Sequence, residues 1–471
     1  MSTTLRLYPQ SSRIARTLPH VLLAAGVLIL VARAHGQFNL AKPETPLLAA
    51  AASGDTPAVK QLLKAGANPN EGRLLGLPPV MFPLMMQNRD MVRAFLNAKA
   101  DLRVRDKSGA TTLMWALYDG NPDPETIQKI LAGGVDPNTR DEKGDTALIW
   151  AMRRGNATAI RLLETIGGSR DSQIREATQK SLALLQSSSP QFIRVSGCVS
   201  CHHQVLPAMA MAIARDHGIA FNQREAANDV EATMAMWKNM RQYMSREAHR
   251  IPNPPIVVSY SLVGLAAQKY PPDETTRAMV EFVAGYQETD GSWRSDIRRP
   301  PIEASDITAT AISLRALQLY GGGGERVTRA AAWLAREEPS SNEERVMQFL
   351  GLYWSQASRA LLEQRADKLL AAQLPGGGWS QCDTPEADAY ATGQSLFALF
   401  SAGILKPADA PYRKGIDYLL RTQLSDGSWL VTSRSHPVQP YKESGFPHGK
   451  DQWISAAATS WAAMALGLAA E

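Results

Sequence analysis

Apolar positions between residues 43 and 170 come in short bursts that recur. Leu62-Leu63-x-Ala65-Gly66-Ala67-Asn68 returns as Phe95-Leu96-x-Ala98-Lys99-Ala100-Asp101, and again as Ile130-Leu131-x-Gly133-Gly134-Val135-Asp136. Asn68, Asp101 and Asp136 stand 33 and 35 residues apart, the spacing of a repeat built from paired helices. Before these bursts come helix openings: Thr45-Pro46-Leu47-Leu48, Thr111-Thr112-Leu113-Met114 and Asp145-Thr146-Ala147-Leu148. A threonine there predicts an N-cap, and proline suits the first turn. Gly66 and Gly134 predict helix ends at positive φ. Four units are expected, the second crowded by Pro78, Pro79 and Pro83. A single unit cannot bury its apolar face, whereas a stack can.

Beyond residue 171 the apolar pattern lengthens to helical stripes. It predicts six helix pairs: 173–187 with 202–216, 225–245 with 257–268, 275–287 with 305–319, 325–336 with 342–355, 361–373 with 388–402, and 411–422 with 452–468. Three loops share one signature: Gln287-x-x-x-Gly291-x-Trp293, Gln373-x-x-x-Gly377-x-Trp379 and Gln423-x-x-x-Gly427-x-Trp429. A degenerate fourth unit runs from Arg329 to Leu334. The segments 305–317 and 387–399 align without gaps, pairing Asp306 with Asp388.

The first repeat system resembles ankyrin repeats, with Leu48, Met114 and Ile149 where that family's opening has histidine. The second resembles the Gln–Trp repeats of squalene–hopene cyclases and related prenyltransferase-type proteins. That resemblance implies six hairpins closed into an (α/α)6 toroid whose second helices line a cavity. It also implies a structural role for the Gln and Trp residues, tying neighbouring hairpins together. The expected fold is all-α: ankyrin-like repeats over 43–170, then a toroid over 171–471.

The cyclase resemblance places a protonating acid at Asp306, within Ala304-Ser305-Asp306-Ile307-Thr308-Ala309. The two flanking acids of the family's run are missing. Because Asp388 occupies the same place in another hairpin, helix capping explains both residues. A zinc site of prenyltransferase type, using Cys382, Asp383 and His436 or His448, lacks the family's Asp-x-Cys pattern.

Two of the three cysteines stand in Cys198-x-x-Cys201-His202. This is the attachment pattern of c-type haem, with thiols for the vinyl groups and His202 for the iron. A metal site with His203, a Cys198–Cys201 disulfide and free thiols stay open as alternatives. Met209 and Met211 are sixth-ligand candidates or core residues.

Charge changes the picture only at the N-terminus. The formal net charge of +5 includes Arg6, Arg13, Arg16 and Arg33, and falls to +1 without residues 1–34. A nucleic-acid partner therefore loses its electrostatic support. The same arginines precede an apolar stretch, Val21 to Ala32, and a small-x-small site at Ala32-Arg33-Ala34. Residues 1–34 are expected to be a signal peptide, with an uncleaved anchor as the alternative. No membrane span is expected after cleavage, and the location is periplasmic or secreted. The expected function is an exported binding protein whose ankyrin stack engages a protein. Its toroid would hold an apolar ligand or covalently attached haem. An enzyme, either a terpenoid-type cyclase or a haem-dependent redox protein, is the alternative.

Overall fold

The structure is a computed structural model describing residues 43–118, 123–165, 170–246, 251–303, 305–382, 384–436 and 441–470. The expected signal peptide, together with Ala304 and Asp383, lies outside the described residues. Regular structure among them is helical, apart from isolated β-bridges such as Trp379 with Asp388. No described helix is long and apolar enough to cross a membrane. The chain divides into two compact units, Met1–Lys107 and Ser108–Glu471.

The first unit holds helices α1 (Pro46–Ser53), α2 (Thr56–Lys64), α3 (Met81–Met85) and α4 (Arg89–Asn97). Thr45 caps α1 by accepting from the Leu48 amide, with Pro46 in the first turn. Asp55 and Asn88 cap α2 and α4 in the same way. Gly66 ends the first burst at φ 91°, and Lys99 takes φ 56° at the matching place in the second. Asn70 accepts from the Asp101 amide at 2.8 Å, joining the two loops one repeat apart.

The second unit opens with two further helix pairs of the same kind. These are α5 (Thr112–Ala116) with α6 (Pro124–Ala132), and α7 (Ala147–Arg153) with α8 (Ala157–Thr165). Thr111 and Thr146 cap α5 and α7 as expected.

Six hairpins follow in this unit. Their first helices are α9 (Arg170–Ser196), α11 (Gln223–Arg246), α13 (Glu274–Gly285), α15 (Glu325–Arg336), α17 (Arg359–Ala371) and α19 (Ala410–Thr422). Their second helices are α10 (Leu206–Asp216), α12 (Pro254–Ala267), α14 (Asp306–Leu319), α16 (Asn342–Trp354), α18 (Ala389–Ser401) and α20 (Gln452–Ala469). Each second helix packs on the next, and α20 packs on α10, so the six close on themselves. Helix α9 runs past its expected end at 187 and through Pro190. Its continuation is held by Ser189, which donates to Asp229, and by Phe192, which stacks on His203.

The three Gln–Gly–Trp loops are built alike. Trp293, Trp379 and Trp429 are buried, and each indole N–H donates to a carbonyl ten residues earlier, on Val283, Leu369 and Leu419. The Gln287, Gln373 and Gln423 amides donate to their own loop and to Arg326, Pro411 and Ala177 on a neighbouring outer helix. Gly377 shows why glycine is needed there. Its φ is +91°, and a Cβ would stand 2.3 Å from the Lys414 carbonyl oxygen. The loops therefore bond hairpin to hairpin, including the last to the first.

Candidate functional site at the inner-helix N-termini

The residues with unusual chemistry collect where the second helices begin. Polar links join these helix starts. Asn253, before α12, donates to Glu303, before α14, at 2.9 Å. Asn342, the first residue of α16, donates from its backbone to the Gln381 carbonyl, before α18. His203 bonds Ser444, before α20, at 2.9 Å.

The Cys198-x-x-Cys201-His202 motif leads into the first of these helices. Ser200 caps a π-helical turn, Cys201–Val205, that runs straight into α10. Both cysteines are free; Cys198 is exposed and Cys201 is buried. Burial pushes the Cys201 thiol well above its ordinary pKa, and nearby Glu303 adds to this. His202 is partly buried against Phe192 and Trp453, with ring centroids 5.2 and 6.0 Å away. Its Nδ1 meets His203 Nδ1 and, at 3.3 Å, the Ser200 hydroxyl. Among the described residues no hydrogen-bond partner faces its Nε2. Burial, then His203 and Arg299, holds its imidazole well below the usual range. His203 is fully buried, stacked on Phe192 at 4.5 Å, and pushed down to about 3 by burial. Met211 is buried and Met209 partly so, both on α10. Among the described residues no group of three or more His, Cys, Asp or Glu side chains is arranged to hold a metal ion.

Asp306 and Asp388 both sit at inner-helix starts, but capping does not explain both. Asp388 caps α18 by accepting from the Ala391 amide. Asp306 is the first residue of α14, whose cap is Ser305. The helix starts one residue earlier relative to the alignment, so the serine takes the capping place. What the two carboxylates share is the loop amide two residues after the buried tryptophan. Asp306 accepts from Ser295 at 2.9 Å, and Asp388 from Gln381 at 3.3 Å. The other oxygen of Asp306 is bonded by Arg294 at 3.0 Å. The residues resembling a cyclase acid thus fasten the loop to the helix.

A second group, carrying no motif, lies on the second helices of the hairpins. Glu343 on α16 is 2% exposed, with Gln394 and Tyr390 of α18 beside its carboxyl. Burial pushes this carboxyl up to about 8, against the lowering influence of Gln394 and Tyr390 on α18. Tyr390 lies 6.4 Å from Trp461 of α20, ring to ring, at 77°. Tyr260 on α12 is buried, and Glu343, Cys201 and Glu303 all help to raise its pKa after burial itself. These residues belong to four helices and to no sequence pattern. The one local signal was an acid in the first turn of α16, which reads equally well as a partner for the helix dipole.

Compared with known families, residues 47–141 match the one described as Ankyrin repeats (3 copies). The N-terminal repeats are therefore ankyrin repeats, which supports a protein-interaction role.

Proposed function

We propose that this chain is an exported interaction protein. Its ankyrin repeats engage a protein partner, and Cys198, Cys201 and His202 hold a covalently attached haem beside the closed ring of helices. Trp115, Tyr118 and Trp150 supply the contact chemistry on the third and fourth repeats. They are only partly buried, and the Trp115 and Trp150 rings lie 5.5 Å apart at 70°. Half-exposed aromatics of this kind are enriched among interface anchors.

The observation that carries the haem assignment is the state of His202. An axial histidine needs a neutral ring with one nitrogen held and the other free. His202 has its Nδ1 engaged by Ser200 and His203, its Nε2 without a hydrogen-bond partner among the described residues, and a pKa held low by burial. The donor set fits: two free thiols three residues apart, with histidine next to the second. When bound, haem would supply one-electron chemistry or an axial coordination position. The chain's own residues orient the ring: Ser200 and His203 hold Nδ1, while Phe192 and Trp453 pack edge-on against it.

The test is the visible spectrum of the full chain, exported from a host with haem-maturation machinery. A Soret band that survives acid–acetone extraction supports the assignment, and a band removed by extraction opposes it. A terpenoid-type cyclase needs an acid at Asp306, whose oxygens are already engaged by Ser295 and Arg294, so it is the weaker reading; a haem-dependent redox role rests on the same haem and the same test.

A further inference from the structure

A cavity of about 310 Å³ lies where α7 and the loop before it meet the outer helices α9 and α19, all within the second unit. Four bases line it: Arg140, Lys143, Arg153 and Lys180. Two acids line it as well, Asp145 and Glu176. Arg140 and Lys180 share Glu176, and Arg153 pairs with Asp145. Lys143 stands exposed as a further positive charge. Asp141, next to Asp145, has its oxygens taken by the Lys143 and Asp145 amides and by the Trp150 indole. Counted with the lining, it still leaves the bases one ahead of the acids. The wall is not wholly polar. Ile149, Leu420 and Leu424 belong to it, and Leu424 is 42% exposed. Gln173 of α9 lines it too. This residue is 5% exposed, and neither polar atom of its amide has a hydrogen-bond partner among the described residues. Leaving a buried amide unmet is costly, so a group that pairs with it is favoured there.

We propose that this cavity binds an organic monocarboxylate carrying an apolar body and one hydrogen-bond donor, the chemistry of an N-acyl amino acid with a branched apolar side chain. The site shares no residue with the haem assignment or with Asp306 and stands or falls separately.

Charge selects the head group. A cationic ligand would meet four bases, and a neutral one would leave their excess unbalanced. One carboxylate balances it. Burial holds the Arg140 guanidinium below its ordinary range, and burial followed by Arg140 does the same to the Lys180 ammonium. These two cations crowd one carboxylate, and an added anion relieves them. Phosphate fits less well. Its second charge would face Asp145 and Glu176, and nothing in it covers Ile149 and Leu424. The Gln173 amide sets the remaining requirement: its Nε2 needs an acceptor and its Oε1 a donor, which a carboxylate or acyl oxygen and an N–H supply. The fold holds the walls in place. Arg140 Nη1 donates to the Gly144 carbonyl at 2.7 Å, and Arg153 Nε to the Arg421 carbonyl of α19 at 3.2 Å.

The experiment is isothermal titration calorimetry on the full chain with N-acetylleucine, its uncharged amide N-acetylleucinamide, isocaproate, which lacks the N–H, and inorganic phosphate. N-acetylleucine should bind most tightly, and each of the others about tenfold more weakly, the worth of one hydrogen bond or charge contact. Lys180→Gln should weaken N-acetylleucine binding by about tenfold. Lys143→Gln changes an exposed residue, should weaken it by a few-fold, and covers the case in which the Lys180 variant does not fold. Gln173→Leu removes both unmet atoms. It should raise the Tm of the free protein yet weaken binding by about tenfold, a split that a merely structural glutamine would not give. Tighter binding of the amide or of phosphate would overturn the proposal. So would unchanged binding in Gln173→Leu and Lys143→Gln, or no binding of N-acetylleucine at millimolar concentration, which would leave ion pairing as the whole role of these residues.

Discussion

The side-chain amide of Gln423 donates to the carbonyl of Ala177 at 2.9 Å, joining the last hairpin of the ring to the first across 246 residues of chain. It also donates to Ser181 Oγ at 3.0 Å and to its own Gly427 carbonyl at 3.2 Å. Gln287 and Gln373 make the corresponding bonds between other hairpins. Gln423→Ala should therefore destabilise the second unit by about 1–3 kcal/mol. Trp429→Ala, which empties a buried indole site, should cost about 3–5 kcal/mol. Urea denaturation of the two variants checks the order. Equal, negligible losses would mean that these loops do not hold the ring.

Glycine substitutions separate positions that need glycine from those that do not. At Gly427, φ is +92° and a Cβ would stand 2.7 Å from the Lys180 carbonyl carbon. Gly427→Ala should lower stability by more than the ~1 kcal/mol that a left-handed residue alone costs. Gly285 ends α13, and a Cβ there would meet nothing within 4 Å. Gly285→Ala should raise stability by about 0.4–1 kcal/mol. Thermal melts of the two variants should move in opposite directions.

Asp229 gives a pH signature. Burial pushes its carboxyl up from an ordinary 3.8 to about 7, with Glu225 adding and the Ser189 hydroxyl opposing. The folded state thus holds a proton that the unfolded chain releases. Its contribution is fully present below about pH 4 and is lost as the pH rises to about 7. Asp229→Asn should flatten the stability profile over that window. A denaturation series from pH 4 to pH 8 shows whether the two profiles converge at the acid end, as expected.

Asp306 distinguishes fastening from catalysis. Asp306→Asn keeps an acceptor for the Ser295 amide and loses the ion pair with partly exposed Arg294. It should cost no more than about 1 kcal/mol, as solvent-accessible ion pairs do. If the same variant kept its fold and abolished a cyclization activity, the fastening role would be insufficient.

The helical hairpins were legible because their signals are local. Thr45, Thr111 and Thr146 mark helix starts by their own hydroxyls, and Gly377 marks a loop by the backbone angle that it permits. The motif at Cys198 was legible for the same reason, since its chemistry lies within five residues. Glu343, Tyr260, Tyr390 and Gln394 were not. Tyr390 and Gln394 share α18, but Glu343 and Tyr260 stand on other helices, and only the packing of these helices brings the four together. The different capping of α14 and α18 was hidden too, because Ser305 and Asp388 cap equally well and the alignment could not tell which residue begins the helix.

The most direct measurement is tandem mass spectrometry of the peptide spanning Cys198 to His202. The full chain should be exported from a host that matures a second c-type cytochrome in the same culture. The account predicts one haem bound through both Cys198 and Cys201, and its loss in the Cys198→Ala, Cys201→Ala double variant. His202→Ala should leave attachment intact and shift the visible spectrum. An unmodified peptide, recovered beside a fully matured second cytochrome, would contradict it.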